Sequence, residues 1–233
     1  MPELDVSVVL PARNEERLVR AALVSIAHQT WPLDRLEAIV VANGCSDQTA
    51  EAVRAFSAEQ TGLAVTLVED PEPGVARAKN LGAARAGGRL LLFLDADSRM
   101  KPDLAEAIVR RAGAGEQAGS IRMIADTSDA LDRAFFRLIE FGKRLFAIRA
   151  NMLYCTRETF ERLGGFDARL QQAEDREFLV RLQRAGIAVG HVSESWIATS
   201  PRRLHALPLR LGIVATLGRW ALGHAGIGRD WPY

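Results

Sequence analysis

The chain alternates short apolar runs with stretches whose apolar residues return every three or four positions. Residues 6–10 (VSVVL), 38–42 (AIVVA), 65–68 (VTLV) and 90–94 (LLLFL) have the length and composition of strands. The last is apolar throughout, as expected of a strand buried on both faces. Between them, residues 14–29 place Leu18, Ala21, Ala22, Ser25 and Ile26 on one helical face. Residues 47–56 follow the N-cap candidates Ser46 and Asp47, and residues 75–85 stop at Gly87-Gly88. This β-α-β-α-β-α-β order predicts an α/β protein with a mostly parallel, doubly wound central sheet and flanking helices.

The second half is less regular. Its pattern predicts a helix over 102–112 opened by Pro102, a strand over 119–125 and a long helix over 129–148 carrying Phe135, Phe136, Leu138 and Phe141. A strand over 152–155, a helix over 174–185, a strand over 187–192 and a helix over 203–222 follow. No repeat or linker divides the chain, so one domain over 1–233 is expected, with 201–233 as a C-terminal helical extension.

Composition narrows the classes. A chain of 233 residues suffices for one large α/β core, and 48% hydrophobic with 25% charged residues excludes disorder. Thirty basic against 29 acidic residues leave +1, so no global field attracts nucleic acid. Two cysteines, Cys45 and Cys155, are too few for a disulfide framework or a zinc site and predict a reducing compartment. There is no basic, apolar leader and no run of membrane-spanning length. A cytoplasmic protein is expected. The C-terminal helix, with Arg203, Arg210, Arg219, Trp220 and Trp231, is a candidate for peripheral membrane contact or for packing, including packing in a homodimer.

In doubly wound sheets ligands bind beyond the carboxyl ends of the strands, so the loops there carry the chemistry. Asp95-Ala96-Asp97 follows the buried fourth strand, and two carboxylates one residue apart can turn to one hard cation, Mg²⁺ or Mn²⁺. Glu174-Asp175 opens a helix; the pair either complements the helix dipole or supplies a general base. Arg77 and Lys79 lie on the helix before the fourth strand, either aimed at a phosphate or open to solvent. Arg202-Arg203 is a surface pair or a partner for a leaving diphosphate. His191 reads as a packed residue. The motifs of a nucleophile elbow, a P-loop and a dinucleotide-binding turn are missing from the sequence.

Six segments in order carry a resemblance: 8–16 (VVLPARNEE), 40–49 (VVANGCSDQT), 74–82 (GVARAKNLG), 92–97 (LFLDAD), 164–167 (GGFD) and 173–175 (AED). Together they closely resemble the family-2 glycosyltransferases of the GT-A, or nucleotide-diphospho-sugar transferase, fold. The resemblance implies inverting transfer of a sugar from a nucleotide-diphospho-sugar donor to an acceptor hydroxyl. It implies that Pro11, Arg13 and Glu15 line the nucleotide, that Asp95 and Asp97 hold the metal with Ala96 beside the donor, and that Asp175 is the catalytic base. Arg77 joins the donor-binding set. One departure stands out: Ala42 and Asn43 occupy the positions where the family carries paired aspartates, so Asn43 inherits the contact to the base. The alternatives are a non-catalytic nucleotide-sugar-binding subunit and a sugar-phosphate nucleotidyltransferase.

Overall fold

The computed structural model describes residues 3–59, 62–145, 152–170 and 173–205. Four parallel strands, β1 (Val6–Ala12), β2 (Leu36–Asn43), β3 (Ala64–Asp70) and β4 (Leu90–Phe93), form the first half of the sheet in the order β3-β2-β1-β4. Their connections are α1 (Val19–Ala27), α2 (Thr49–Glu59) and α3 (Val75–Ala83). Residues of β2 and β4 are buried at every position, which is why both read as unbroken apolar runs.

The second half contributes β5 (Ser98–Met100), α4 (Leu104–Gly113), β6 (Ala118–Ala125), α5 (Ala130–Leu145), β7 (Leu153–Thr156), α6 (Arg157–Arg162), α7 (Glu174–Arg184), β8 (Val189–Thr199) and α8 (Arg202–His205). The sheet continues β4-β7-β6-β8-β5. Here pairing turns mixed: β7 is antiparallel to β4 and β6, β8 parallel to β6, and β5 antiparallel to β8.

Strand alternation splits the core into two layers. Val6, Val8 and Leu10 of β1 face α1, α2 and α4 through Leu23, Ile26, Val53, Phe56, Leu104 and Ile108. Val9 of the same strand faces the other way, with Ile39, Val41, Leu91 and Phe93, against α3, α6 and α7. The second layer is centred on four phenylalanines, Phe93, Phe160, Phe166 and Phe178, whose ring centroids lie 4.8 to 5.4 Å apart.

Gly82 lets α3 lie close on the sheet. A Cβ there would sit 2.3 Å from Val9 Cγ1 and 3.3 Å from Val41 Cγ2. Gly82→Ala is expected to destabilise the fold by about 1–3 kcal/mol, read as a lower urea midpoint. An unchanged midpoint would show that α3 moves off the sheet without cost.

Several boundaries differ from the sequence reading. α1 starts at Val19 rather than near residue 14, because Asn14 adopts a left-handed conformation (φ 56) and the segment before α1 is tied to the β2–α2 loop. β8 runs seven residues beyond the predicted end at 192, and β5 and α6 were not foreseen. The predicted helix over 203–222 is described only to His205, and the last residues of the predicted 129–148 helix also lie outside the described residues. No described helix is long and apolar enough to cross a membrane.

Candidate active site

The loops after β1, β2 and β4 meet at the carboxyl end of the sheet. They enclose a cleft of about 370 Å³ lined by Pro11, Arg13, Asn14, Glu15, Asn43, Gly74, Val75, Asp95, Ala96, Asp97 and Arg202. Side-chain to backbone bonds lace the first two loops together. Asn14 Oδ1 accepts from the Ser46 amide (2.8 Å), Thr49 Oγ1 accepts from the Glu15 amide (2.8 Å), and Asp47 Oδ2 accepts from the Glu16 amide (3.1 Å). Cys45 Sγ donates to the Ala12 carbonyl at 3.3 Å. An asparagine tolerates the left-handed turn at position 14 better than most residues.

Asn43, the departure noted in the sequence, is buried. Its Nδ2 donates to the Gly74 carbonyl at 3.2 Å, tying the end of β2 to the start of α3. An ionised aspartate there would set two acceptors against each other, so the carboxamide suits this loop.

The α3 motif builds the far side of the site. Lys79 is buried, and its Nζ donates to Glu174 Oε1 and Asp175 Oδ1, both at 2.7 Å. The ammonium also stands 5.2 Å from the centroid of the Phe166 ring. One turn of contact further, Asn80 clamps the Phe166 backbone: its Nδ2 donates to the Phe166 carbonyl (2.8 Å) and its Oδ1 accepts from the Phe166 amide (2.9 Å). Gly165 (φ 69) allows this approach, since a Cβ there would fall 2.8 Å from Asn80 Oδ1. The chain then passes through Ala173, also left-handed (φ 62), into α7, whose first turn holds Glu174, Asp175 and Glu177. A non-glycine residue in that region costs about 1–3 kcal/mol and persists only where its surroundings demand it.

Burial sets the electrostatics. Desolvation alone would lower the Lys79 pKa, but the carboxylates of Asp175, Glu174 and Asp95 outweigh it and hold the ammonium charged. Desolvation pushes Asp175 up, Lys79 pulls it down, and Glu174 and Asp95 push it up again, leaving it at about 6. Asp175 is therefore ionised at neutral pH yet much more basic than an ordinary carboxylate. It stands beside the cleft rather than in its lining, near enough to Asp95 to feel that charge.

The structure gathers Pro11, Arg13, Glu15, Asn43, Asp95, Ala96 and Asp97 around one cleft. Arg77 goes elsewhere. Its Nε donates to Asp70 Oδ2 (2.7 Å) and its Nη2 to Asp70 Oδ1 (3.2 Å), and this fork, chiefly through its hydrogen bonds, lowers the Asp70 pKa. A buried carboxylate at the end of β3 outcompetes the cleft for that guanidinium. Lys79 is the residue that sequence reasoning left undecided. Its signal was present: three lysines stand among thirty basic residues, so a lysine inside a motif marks a place that fits only a compact ammonium. Arg202, more than a hundred and eighty residues from the first loop, bonds Glu15 and lies 3.2 Å from Asp97 Oδ2. His191 lies in β8, with Nδ1 at 3.0 Å from Ser120 Oγ.

The residues present fit a divalent cation. Asp95 and Asp97 line the cleft together, and the buried Glu15 Oε2 has no hydrogen-bond partner among the described residues. No group of three or more His, Cys, Asp or Glu residues is arranged around a common point among the described residues. That suits Mg²⁺ or Mn²⁺, which take one or two carboxylates and complete their shell with substrate phosphates and water.

A parallel nucleotide-binding half joined to a mixed half, with paired carboxylates at the last parallel strand, defines a GT-A domain. Solved structures bear this out. TarS 1–349 of S. aureus in complex with UDP superposes with a TM-score of 0.69 at 18% identity, covering 98% of this chain and 74% of that one. The mannosyltransferase PcManGT from Pyrobaculum calidifontis, in complex with GDP-Man and Mn²⁺, gives 0.67 at 25% identity, covering 92% and 64%. The chain belongs to glycosyl transferase family 2, which it matches over residues 7–167. Among curated relatives, the probable glycosyltransferase YdaM of Bacillus subtilis is 29% identical over 198 residues, 78% of this chain and 47% of its own. Glycosyltransferase AglD of Haloferax volcanii is 30% identical over 213 residues, 83% and 33%. The chain thus spans less than half the length of either relative.

Proposed function

We propose that this domain transfers a sugar from a nucleotide-diphospho-sugar to an acceptor hydroxyl, by a single displacement that inverts the anomeric carbon. The observation that carries the reading is the pairing of one cleft, lined by Asp95, Asp97 and the β1 and β2 loops, with a buried, ionised carboxylate next to it. The complexes of the two structural neighbours with UDP and with GDP-Man support the donor class.

In this reading Pro11, Arg13, Glu15 and Asn43 hold the nucleoside, and Asp95 and Asp97 hold Mg²⁺ or Mn²⁺. When bound there, the cation supplies Lewis-acid stabilisation of the departing diphosphate. Asp175 takes the proton of the acceptor hydroxyl as the oxygen bonds to the anomeric carbon and the bond to the diphosphate breaks. Lys79 keeps Asp175 ionised in a buried setting and fixes where its carboxylate stands. Arg202 meets the charge that develops on the leaving diphosphate.

Calorimetry of UDP, GDP, dTDP and CMP with and without Mn²⁺ tests this. One nucleotide is expected to bind only with the cation, and Asp97→Ala is expected to weaken that binding about tenfold or more, because it removes a first ligand of the metal. Failure of all four to bind would overturn the reading. Slow donor hydrolysis that Asp97→Ala abolishes separates an enzyme from a subunit that only binds.

A further inference from the structure

Helix α5 carries an apolar stripe that nothing among the described residues covers. Leu131, Ala134, Leu138 and Phe141 follow one another at three- and four-residue steps, and all four are exposed. Leu138 and Phe141 expose 63% and 62% of their surface, far more than a packed helix leaves open. The opposite face is satisfied: Asp132 and Phe135 are buried, and Phe136 and Ile139 are half-buried.

Arg133 and Arg137 run along one edge of the stripe, one turn apart and both exposed. Neither makes a hydrogen bond or ion pair through its guanidinium among the described residues. An exposed apolar stripe with a basic edge, on a helix that cannot span a bilayer, has the layout of a helix lying in a lipid interface. A second copy of the chain fits less well, because a two-fold contact through this face sets Arg133 and Arg137 against their own equivalents.

We propose that α5 seats this protein on an anionic lipid bilayer, with Leu131, Leu138 and Phe141 entering the boundary between headgroups and acyl chains and Arg133 and Arg137 meeting lipid phosphates. The inference goes beyond the reading of the cleft and does not depend on it. The place of α5 gives it meaning for the cleft. The Asp126 amide donates to the Thr199 carbonyl (2.9 Å), the next residue, Ser200, donates to the Asp97 carbonyl (3.1 Å), and Asp132 bonds His205 Nε2 (2.9 Å). A bilayer under α5 therefore lies beside the residues proposed to hold the donor.

The test is co-sedimentation of the whole 233-residue chain with vesicles of phosphatidylcholine alone or mixed equally with phosphatidylglycerol. Binding is expected only to the anionic vesicles, and is expected to fall as salt rises. The double variant L138E/F141E is expected to lower it about tenfold or more, and R133E/R137E by a similar factor. These residues are exposed, so both variants should keep the wild-type melting temperature and nucleotide binding. Wild-type protein that ignores anionic vesicles overturns the proposal, as does L138E/F141E that binds as well as wild type. A dimer in solution that the same variants dissociate, with no vesicle binding, assigns the stripe to a second copy instead. Loss of nucleotide binding in every protein tested counts against the cleft and leaves the vesicle result standing.

Discussion

Asp175→Asn is expected to leave nucleotide binding within about twofold of wild type while transfer falls by roughly 10²–10⁴-fold, the range lost with a general base. The asparagine keeps the size of the side chain and a partner for Lys79, and loses only the proton acceptor. The pH profile checks the same point. The free enzyme holds Asp175 at about 6, and the ionised form is the active one, so kcat/KM should rise with pH through about 6 and level off above it. In Asp175→Asn that limb should vanish. Equal losses of binding and turnover would remove Asp175 from the chemistry.

Lys79→Met carries the second large effect, and it reaches stability as well as rate. The substitution leaves Glu174 and Asp175 buried side by side without the cation that bonds both at 2.7 Å. Breaking a buried ion pair from one side costs about 3–5 kcal/mol. The loss has a pH signature. Without Lys79, burial and the neighbouring carboxylate raise the Asp175 pKa further, so the folded state holds a proton that the unfolded chain releases more readily. A group raised in this way stabilises at low pH and loses that contribution as pH rises through its folded value. The melting temperature of Lys79→Met should therefore fall further below wild type at pH 8 than at pH 5. The acid limb of its activity should move to higher pH. A uniform deficit at both pH values would mean that Lys79 only fills space.

Much of this was legible in residue order, for an identifiable reason. The first half folds by local rules: an apolar run, a polar loop, an amphipathic helix, repeated. The loops that follow the strands are set by that order, so the residues of the cleft could be read directly. The same logic failed where contact is distant in sequence. Ser98-Arg99-Met100 is a strand only because β8 pairs with it, and its polar middle residue hides it. The continuation of β8 past Val192 crosses Ser193, Glu194 and Ser195, where the pairing with β6 shifts register, so no clean alternation marks it. Arg77 and Lys79 sit two residues apart on one helix, and nothing local says which is buried. Asp70 at the end of β3 takes the first, and the start of α7, nearly a hundred residues away, takes the second. Long-range ion pairs leave no periodic trace.

The sheet changes character at one seam, where β4 meets β7 and parallel pairing gives way to antiparallel. Everything before that seam is continuous in sequence and holds both the loop pair laced through Asn14 and the two aspartates after β4. Everything after it varies independently of that apparatus, apart from the few residues that reach back, Glu174, Asp175 and Arg202. A lineage can therefore exchange what the far half recognises while inheriting the near half unchanged, and the durable part of such an ancestry is the first hundred residues.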